Sequence, residues 1–167
     1  MLNGEVEMID RVMTIFHRID PVITGFMARY SITFLRISLG INFFWFGVLK
    51  FFPGLSPAQG LAAKTIEVLS FGLIGSEISV PLLALWECLI GLGLISGKFL
   101  RATLLLLFLQ MAGTLTPLVL FPAETFVRFP YAPTLEGQYI IKNLVLISAG
   151  LVVGATVRGG RIVEKSI

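Results

Sequence analysis

Four long apolar runs alternate with short polar breaks along the chain. The runs cover residues 30–52, 80–97, 99–120 and 137–157. A helix crosses the hydrocarbon layer with about 20 apolar residues, so each run has roughly the length of one membrane span. The pattern predicts an all-α membrane protein built as a bundle of four transmembrane helices.

The residues before the first run show a different, amphipathic pattern. Apolar residues recur at helical spacing from Ile9 to Ile19, with charged residues between them. Such a helix lies in the membrane interface, and no continuous apolar core of a signal peptide precedes it. Asp20 followed by Pro21 predicts the start of a second helix that continues into the first span.

Two of the connections between the runs also carry structure signals. Residues 57–73 have helical periodicity but are too charged to span, and Ser56 followed by Pro57 is typical of a helix start. We expect a short helix that covers the bundle as a lid. Residues 121–136 contain three prolines and several aromatic residues, so we expect this long loop to pack over the mouth of the bundle.

Composition agrees with a membrane protein and excludes several other classes. The chain is 56% hydrophobic and 14% charged, whereas an ordinary soluble domain has about 25% charged residues. The net charge of +3 is small and its basic residues are dispersed, which gives no nucleic-acid surface. The single cysteine, Cys88, excludes an intrachain disulfide, and the single histidine, His17, has no neighbouring ligands for a metal.

Basic residues are distributed unequally between the two ends of the predicted spans. One side of the membrane carries only Lys64 and Arg128, and the other carries eight basic residues. The eight are Arg11, Arg18, Arg29, Lys98, Arg101, Arg158, Arg161 and Lys165. By the positive-inside rule both termini are cytoplasmic, in a bacterial inner membrane, and the lid faces outward. The chain divides into an interfacial segment (1–29), the bundle (30–157) and a basic tail (158–167).

One carboxylate lies in the middle of the second run. A charged side chain at the centre of a membrane helix costs about 2.5–3.5 kcal/mol on insertion scales, so Glu87 must be protonated, paired or exposed to a wet cavity. The neighbouring runs offer polar partners, and at a rise of about 1.5 Å per residue several of them lie at a similar depth. The predicted site residues are Lys50, Glu87, Gln110, Thr114, Lys142 and Asn143.

Two interpretations of this polar layer remain open. Either Glu87 pairs with Lys50 or Lys142 only to hold the bundle together, or the layer binds a ligand and Glu87 exchanges protons with it. Arg36 lies deeper, without an acidic partner at its depth, and we expect it to extend to the cytoplasmic interface.

Small residues four apart mark two helix faces that allow close approach. Gly93 and Gly97 form one pair, and Gly150 and Gly154 form the other. Such pairs pack helices within one chain or against a membrane partner or second copy.

Several segments together resemble the DoxX-like membrane proteins, including the related DUF417 group, over residues 31–157. They are Leu35-Arg36-Ile37-Ser38-Leu39-Gly40, Phe46-Gly47-Val48-Leu49-Lys50-Phe51, Glu87 with Gly91, and Tyr139-Ile140-Ile141-Lys142-Asn143. The resemblance implies a four-helix bundle and an association with thiosulfate–quinone oxidoreduction, thiol systems and oxidative stress. Distant relatives act instead as assembly chaperones or cargo receptors. The shared polar positions are Arg36, Lys50, Glu87, Lys142 and Asn143.

Two functions follow as hypotheses. The first is a redox-associated membrane subunit that binds a quinone-like or other small apolar molecule beside Glu87, although no cysteine pair or catalytic motif is present. The second is a non-enzymatic scaffold or assembly factor whose polar layer is structural. A transporter or channel is a weaker third hypothesis, because four helices without an inverted repeat would need to form an oligomer.

Overall fold

The computed structural model describes the backbone of residues 2–52, 54–56 and 58–160, and the side chains of 13–14, 16–52, 54–56 and 58–160. Two compact units, Met1–Phe34 and Leu35–Ile167, divide the chain. The elements in chain order are α1 Leu2–Leu49, α2 Gln59–Leu69, α3 Ser76–Ser96, α4 Leu100–Leu115, α5 Pro117–Leu120, α6 Pro122–Thr125, β1 Phe126–Arg128, β2 Ala132–Pro133, α7 Leu135–Ile141 and α8 Asn143–Ala155.

Four stretches of helix are long and apolar enough to cross a membrane. They are Phe16–Leu49, Ser76–Ser96, Leu100–Leu120 and Leu135–Ala155. The predicted fold class and the number of spans are therefore confirmed, and the chain is an integral membrane protein. The short helix α2 lies between the first two spans, where the lid was expected.

The first helix continues through the position where we predicted a new helix to begin. α1 runs from Leu2 to Leu49 with Pro21 inside it, and the hydroxyl of Thr24 donates to the carbonyl of Asp20 over 2.6 Å. The predicted helix start at Asp20 is therefore wrong. Pro21 removes one backbone hydrogen bond, and the helical turns on both sides of it continue without a break. The side chains of residues 9–12, on which the interfacial face partly rests, lie outside the described ones.

A core of buried apolar side chains lies in one half of the second unit. α1 contributes Leu39 and Phe43, and α3 contributes Ile90 and Leu94, of which the last two are completely buried. A Cβ built on Gly91 would lie 2.5–2.7 Å from the backbone N and Cα and from the Cβ of Phe44. The absence of a side chain at Gly91 therefore allows α1 and α3 to touch.

The two ends of the bundle differ in structure. We call the end with the 97–99 turn the turn end, and the end with α2 and residues 121–134 the lid end. At the turn end, Gly97 ends α3 with a φ of 70°, as predicted for this glycine, and α4 begins three residues later at Leu100. At the lid end, the third span is interrupted between α4 and α5 at Pro117, where a kink was predicted, and the fourth is interrupted at Lys142.

The lid helix is shorter than its sequence pattern indicated. α2 begins at Gln59, and Ala58 occupies its N-cap in a left-handed conformation with a φ of 56°. Ser56 is therefore not the N-cap that we predicted, and Pro57 lies outside the described residues. α2 packs against α3 and buries Leu61 and Thr65.

The connection between the third and fourth spans is only partly packed. It contains α6 and a two-stranded antiparallel hairpin of β1 and β2, and Thr125 at its base is completely buried. Phe129 and Tyr131, expected to cover the bundle, are 66% and 71% exposed. The prediction is wrong for these two because backbone hydrogen bonds fix the base of the segment, such as Thr134 N to Thr125 O at 2.9 Å, and leave the tip outside.

The two glycine pairs pack inside the chain. A Cβ on Gly93 would overlap the side chain of Thr103 in α4, and one on Gly97 would lie 2.9 Å from the guanidinium of Arg36. In α8, Gly150 and Gly154 face α4, where Cβ atoms would lie 3.3–3.4 Å from leucine and phenylalanine side chains. Each of these glycines therefore lies close to another helix of the same chain.

Candidate functional site

Glu87 forms hydrogen bonds with two other segments of the bundle. Its Oε2 accepts a hydrogen bond from the ammonium of Lys50 over 2.6 Å, which is also an ion pair. Its Oε1 accepts one from the amide Nε2 of Gln110 in α4 over 2.6 Å. Only 7% of Glu87 is exposed. Both carboxylate oxygens are thus satisfied, and the partners come from the end of α1 and from α4.

Gly47 explains why Lys50, and not Lys142, pairs with Glu87. A Cβ on Gly47 would lie 2.9 Å from the backbone N of Cys88 and 2.9 Å from the Cβ of Glu87. Without a side chain there, α1 approaches α3 at the level of the carboxylate, and Lys50 is less than one helical turn further along. The ammonium of Lys50 also lies 3.4 Å from the carbonyl of Phe46.

A cavity of about 430 Å³ lies beside this ion pair. Its volume falls within the range of about 300–1,000 Å³ that is usual for small-molecule sites. All six predicted site residues line it, together with apolar side chains from α1, α4, α7 and α8. The six are Lys50, Glu87, Gln110, Thr114, Lys142 and Asn143.

Several polar groups in this cavity still have hydrogen-bonding capacity. The Oε1 of Gln110 is buried without a partner among the described residues. The Lys142 ammonium lies 3.8 Å from the centre of the Tyr139 ring and 6.0 Å from that of Phe46, and it pairs with no described carboxylate. The cavity therefore offers a donor at Lys142 to a bound group, whereas the Oε1 of Gln110 is a buried acceptor.

Sequence reasoning missed several polar and aromatic residues that line the cavity. Asn42 and Phe46 come from α1, and Tyr139 comes from α7. A polar Asn42 inside an apolar span is itself a signal of a buried polar site, and it was available in the sequence. Phe43 also lines the cavity, although we assigned the aromatic run 43–46 to packing or lipid contact.

Arg36 has a structural environment at the turn end. Its guanidinium donates to the backbone carbonyls of Leu94 and Ile95, the latter over 3.1 Å. These carbonyls belong to the last turn of α3, where free carbonyl groups and the helix dipole attract a cation. Our expectation that Arg36 extends to the interface missed this partner, which the helix stop at Gly97 could have indicated.

The same lid end has a wider, more open space of about 1,070 Å³. It is lined by acidic side chains, including Glu77 and Glu136, and by the exposed ion pair between Lys64 and Glu124. Lys50 lines both this space and the 430 Å³ cavity. Lys50 therefore contacts both the buried carboxylate of Glu87 and the open space at the lid end.

The described side chains include few groups that could bind a metal ion or react as a redox pair. No group of three or more histidine, cysteine or acidic residues in the described part of the chain could hold a metal ion. Cys88 is a buried free thiol next to Glu87 in sequence. The chemistry of the cavity therefore rests on oxygen and nitrogen groups.

One known protein family matches the sequence of the chain. The sequence model of the DoxX family matches residues 31–121. The chain belongs to the DoxX family. The match covers more than half of the chain and includes Lys50, Glu87, Gln110 and Thr114, whereas α7 and α8 of this DoxX-family chain lie beyond it. No curated protein and no solved structure is significantly similar to the chain.

Proposed function

We propose that this DoxX-family chain is a redox-associated membrane subunit that binds a quinone-like or other small apolar molecule in the cavity beside Glu87. The observation that carries the proposal is a buried carboxylate at the wall of a cavity inside membrane-spanning helices. Such a group is expensive to bury, and intramembrane acids commonly mark ligand or proton sites. The ion pair with Lys50 offsets that cost.

The polar groups of the cavity suit a quinone head. Its two carbonyl oxygens accept hydrogen bonds, which Lys142 and Asn143 supply. Reduction of a quinone consumes two electrons and two protons. Glu87 exchanges protons with the head. The electrons come from a redox partner, because the chain has one cysteine and no dithiol.

The proposal places the lid end outside a bacterial inner membrane and both termini in the cytoplasm. The charge bias supports this orientation, since Lys98, Arg101 and Arg158 lie at the turn end, whereas Lys64 and Arg128 lie at the lid end outside the cavity that Lys50 and Lys142 line. In this orientation the acidic open space faces the extracytoplasmic side.

Co-purification of quinone tests the proposal. The wild-type chain, Glu87→Gln and Glu67→Gln are purified in mild detergent from the same quinone-containing membranes, and quinone is extracted and quantified per chain. Glu67 is an exposed acid on α2 and serves as the matched control. We expect about one quinone per chain in the wild type and the control, and at least tenfold less in Glu87→Gln. Equal content in Glu87→Gln, or no quinone together with unchanged membrane quinone reduction, contradicts the proposal.

One observation favours a second function, a non-enzymatic scaffold or assembly factor. Both oxygens of Glu87 are satisfied by side chains of the same chain, so the polar layer also joins three membrane segments. Under this alternative the double variant Lys50→Met with Glu87→Gln keeps full function. Gly93→Leu or Gly150→Leu, which disturb helix packing, would then abolish it.

A further inference from the structure

A second, apolar space adjoins the cavity under the lid helix. It has a volume of about 300 Å³ and lies between α2, α3 and α4. Most of its lining is apolar, and Trp86 lies on its wall with the indole nitrogen donating to the carbonyl of Leu106 over 3.1 Å. We call this space the lid groove. Its representative lining residues are Ala62, Leu69, Leu82, Trp86, Leu109 and Gly113.

The lid groove and the polar cavity share one wall. The residues that line both spaces are Ala58, Ala62, Leu83, Gln110, Thr114 and Ile140. Gln110 holds Glu87 with its nitrogen, while its buried Oε1 has no partner among the described residues. The transition from polar to apolar lining therefore occurs at Gln110 and Thr114.

The outer side of the lid groove faces the lipid side of the bundle. Leu82 and Leu109 lie on membrane-spanning helices and line the groove, and both are about half exposed. Exposed leucines at membrane depth contact hydrocarbon, whereas the route from the open lid end passes acidic side chains and Lys50. A molecule dissolved in the bilayer thus meets an apolar space that adjoins a polar cavity.

From the adjacency of the two spaces we propose that the ligand is a lipid-borne amphiphile that passes between them at the residues they share. Its polar head lies in the cavity beside Glu87, its apolar chain lies in the lid groove, and it enters from the hydrocarbon. At about 30 Å³ for each water-sized group, the groove holds about ten chain carbons. This inference rests on the proposed function and adds the ligand class and its route.

Two glycines supply a matched pair of variants for the test. A Cβ on Gly113 meets no atom within 4 Å and Gly113 lines the lid groove, so we expect Gly113→Leu to extend a side chain into the groove. Gly25 in α1 has the same open surroundings and lines neither space, which makes Gly25→Leu the control. Gly113→Ala provides a smaller change at the same position.

The experiment uses Trp86 as the reporter. The chain has two tryptophans, so Trp45→Phe leaves only Trp86, and quenching of its fluorescence measures binding. The probes are a benzoquinone with a ten-carbon chain and the same benzoquinone without the chain. We expect Gly113→Leu to weaken binding of the chain-bearing probe at least tenfold, Gly113→Ala to weaken it less, and both to leave the chainless probe unchanged. Gly25→Leu changes neither probe.

The outcomes separate this inference from the proposed function. If Gly113→Leu binds the chain-bearing probe as the wild type does, or weakens both probes equally, the chain does not lie in the lid groove. In either case Glu87-dependent binding of the head still supports the proposed function. If neither probe binds the wild type, both proposals are overturned.

Discussion

Two basic residues on the same face of α1 have different environments at the two ends of the bundle. At the turn end, Arg36 donates to backbone carbonyls in the last turn of α3. At the lid end, Lys50 pairs with the buried carboxylate of Glu87 beside a cavity. A cation inside a membrane span is thus neutralised in two different ways. Arg36 binds the carbonyl groups at a helix end, whereas Lys50 binds an acid that lines a cavity.

The packing is tighter around Arg36 than around Lys50. At the turn end, the α3 and α4 helices are regular, and Ile90, Leu94 and Leu107 are completely buried. At the lid end, the third and fourth spans are interrupted at Pro117 and Lys142. The cavity beside Glu87 lies at this end, and both Thr114 in the third span and Lys142 in the fourth line it.

The largest effect is expected when the ion pair is broken on one side. Lys50→Met leaves Glu87 buried with only the Gln110 amide, and we expect a loss of about 3 kcal/mol in the free energy of unfolding. Adding Glu87→Gln should recover most of that loss because no uncompensated charge remains. Unfolding by sodium dodecyl sulfate in mixed micelles measures both variants. Equal losses in the single and double variants would mean that the pair is not coupled.

A steric change beside the apolar core is expected to cause the second largest loss of stability. Gly91→Ala places a methyl group against the backbone of Phe44, and overpacking of this kind costs about 2 kcal/mol. The matched control is Gly154→Ala, whose added Cβ would lie 3.4 Å from Leu104, an ordinary contact. The same unfolding assay should show no loss for Gly154→Ala. A loss as large as that of Gly91→Ala would remove the steric explanation.

Removal of the turn-end cation is expected to cost less. Arg36→Met deletes charge-assisted hydrogen bonds to the end of α3, which are worth about 1–2 kcal/mol together. Arg36→Lys should restore part of the stability. Neither variant should change the quinone content of the purified chain. A loss of quinone in Arg36→Met would show that the two ends are not independent.

The exposed ion pair at the lid end should have the smallest effect. Lys64 and Glu124 are 50% and 46% exposed, so water and salt weaken their attraction. We expect Lys64→Ala to change stability by less than about 0.5 kcal/mol, with less effect as salt rises from 0.05 to about 0.5 M. Thermal unfolding at the two salt concentrations checks this. A loss comparable to that of Lys50→Met would contradict the contrast between buried and exposed pairs.

The spans of the fold could be predicted because the bilayer sets their length. Four apolar runs sufficed for the four helices, and Gly97 correctly marked the end of α3. The connections could not be predicted as well. Pro21 is compatible with either a helix start or a helix interior, and the exposure of Phe129 and Tyr131 depends on backbone pairing in a short hairpin.

The residues of the candidate site could be predicted from the sequence. The cost of burying Glu87 required polar partners, and the rise of a helix per residue showed which polar residues lie at a similar depth. The choice between the two lysines could not be made in this way. It depends on the close approach at Gly47 and on the interruption at Lys142, whose ammonium lies over the Tyr139 ring. The partner of Arg36 depended likewise on how close the last turn of α3 lies to α1. The hydrophobic periodicity of a sequence does not give the distance between two helices.

A ligand-induced shift of the unfolding temperature tests the central claim that the lid-end layer binds a ligand and the turn end does not. The wild type, Arg36→Met and the Lys50→Met, Glu87→Gln double variant are heated with and without the ten-carbon benzoquinone at about 100 times its dissociation constant. We predict a rise of about 5 °C in the wild type and in Arg36→Met, and none in the double variant. An equal rise in the double variant would contradict the claim.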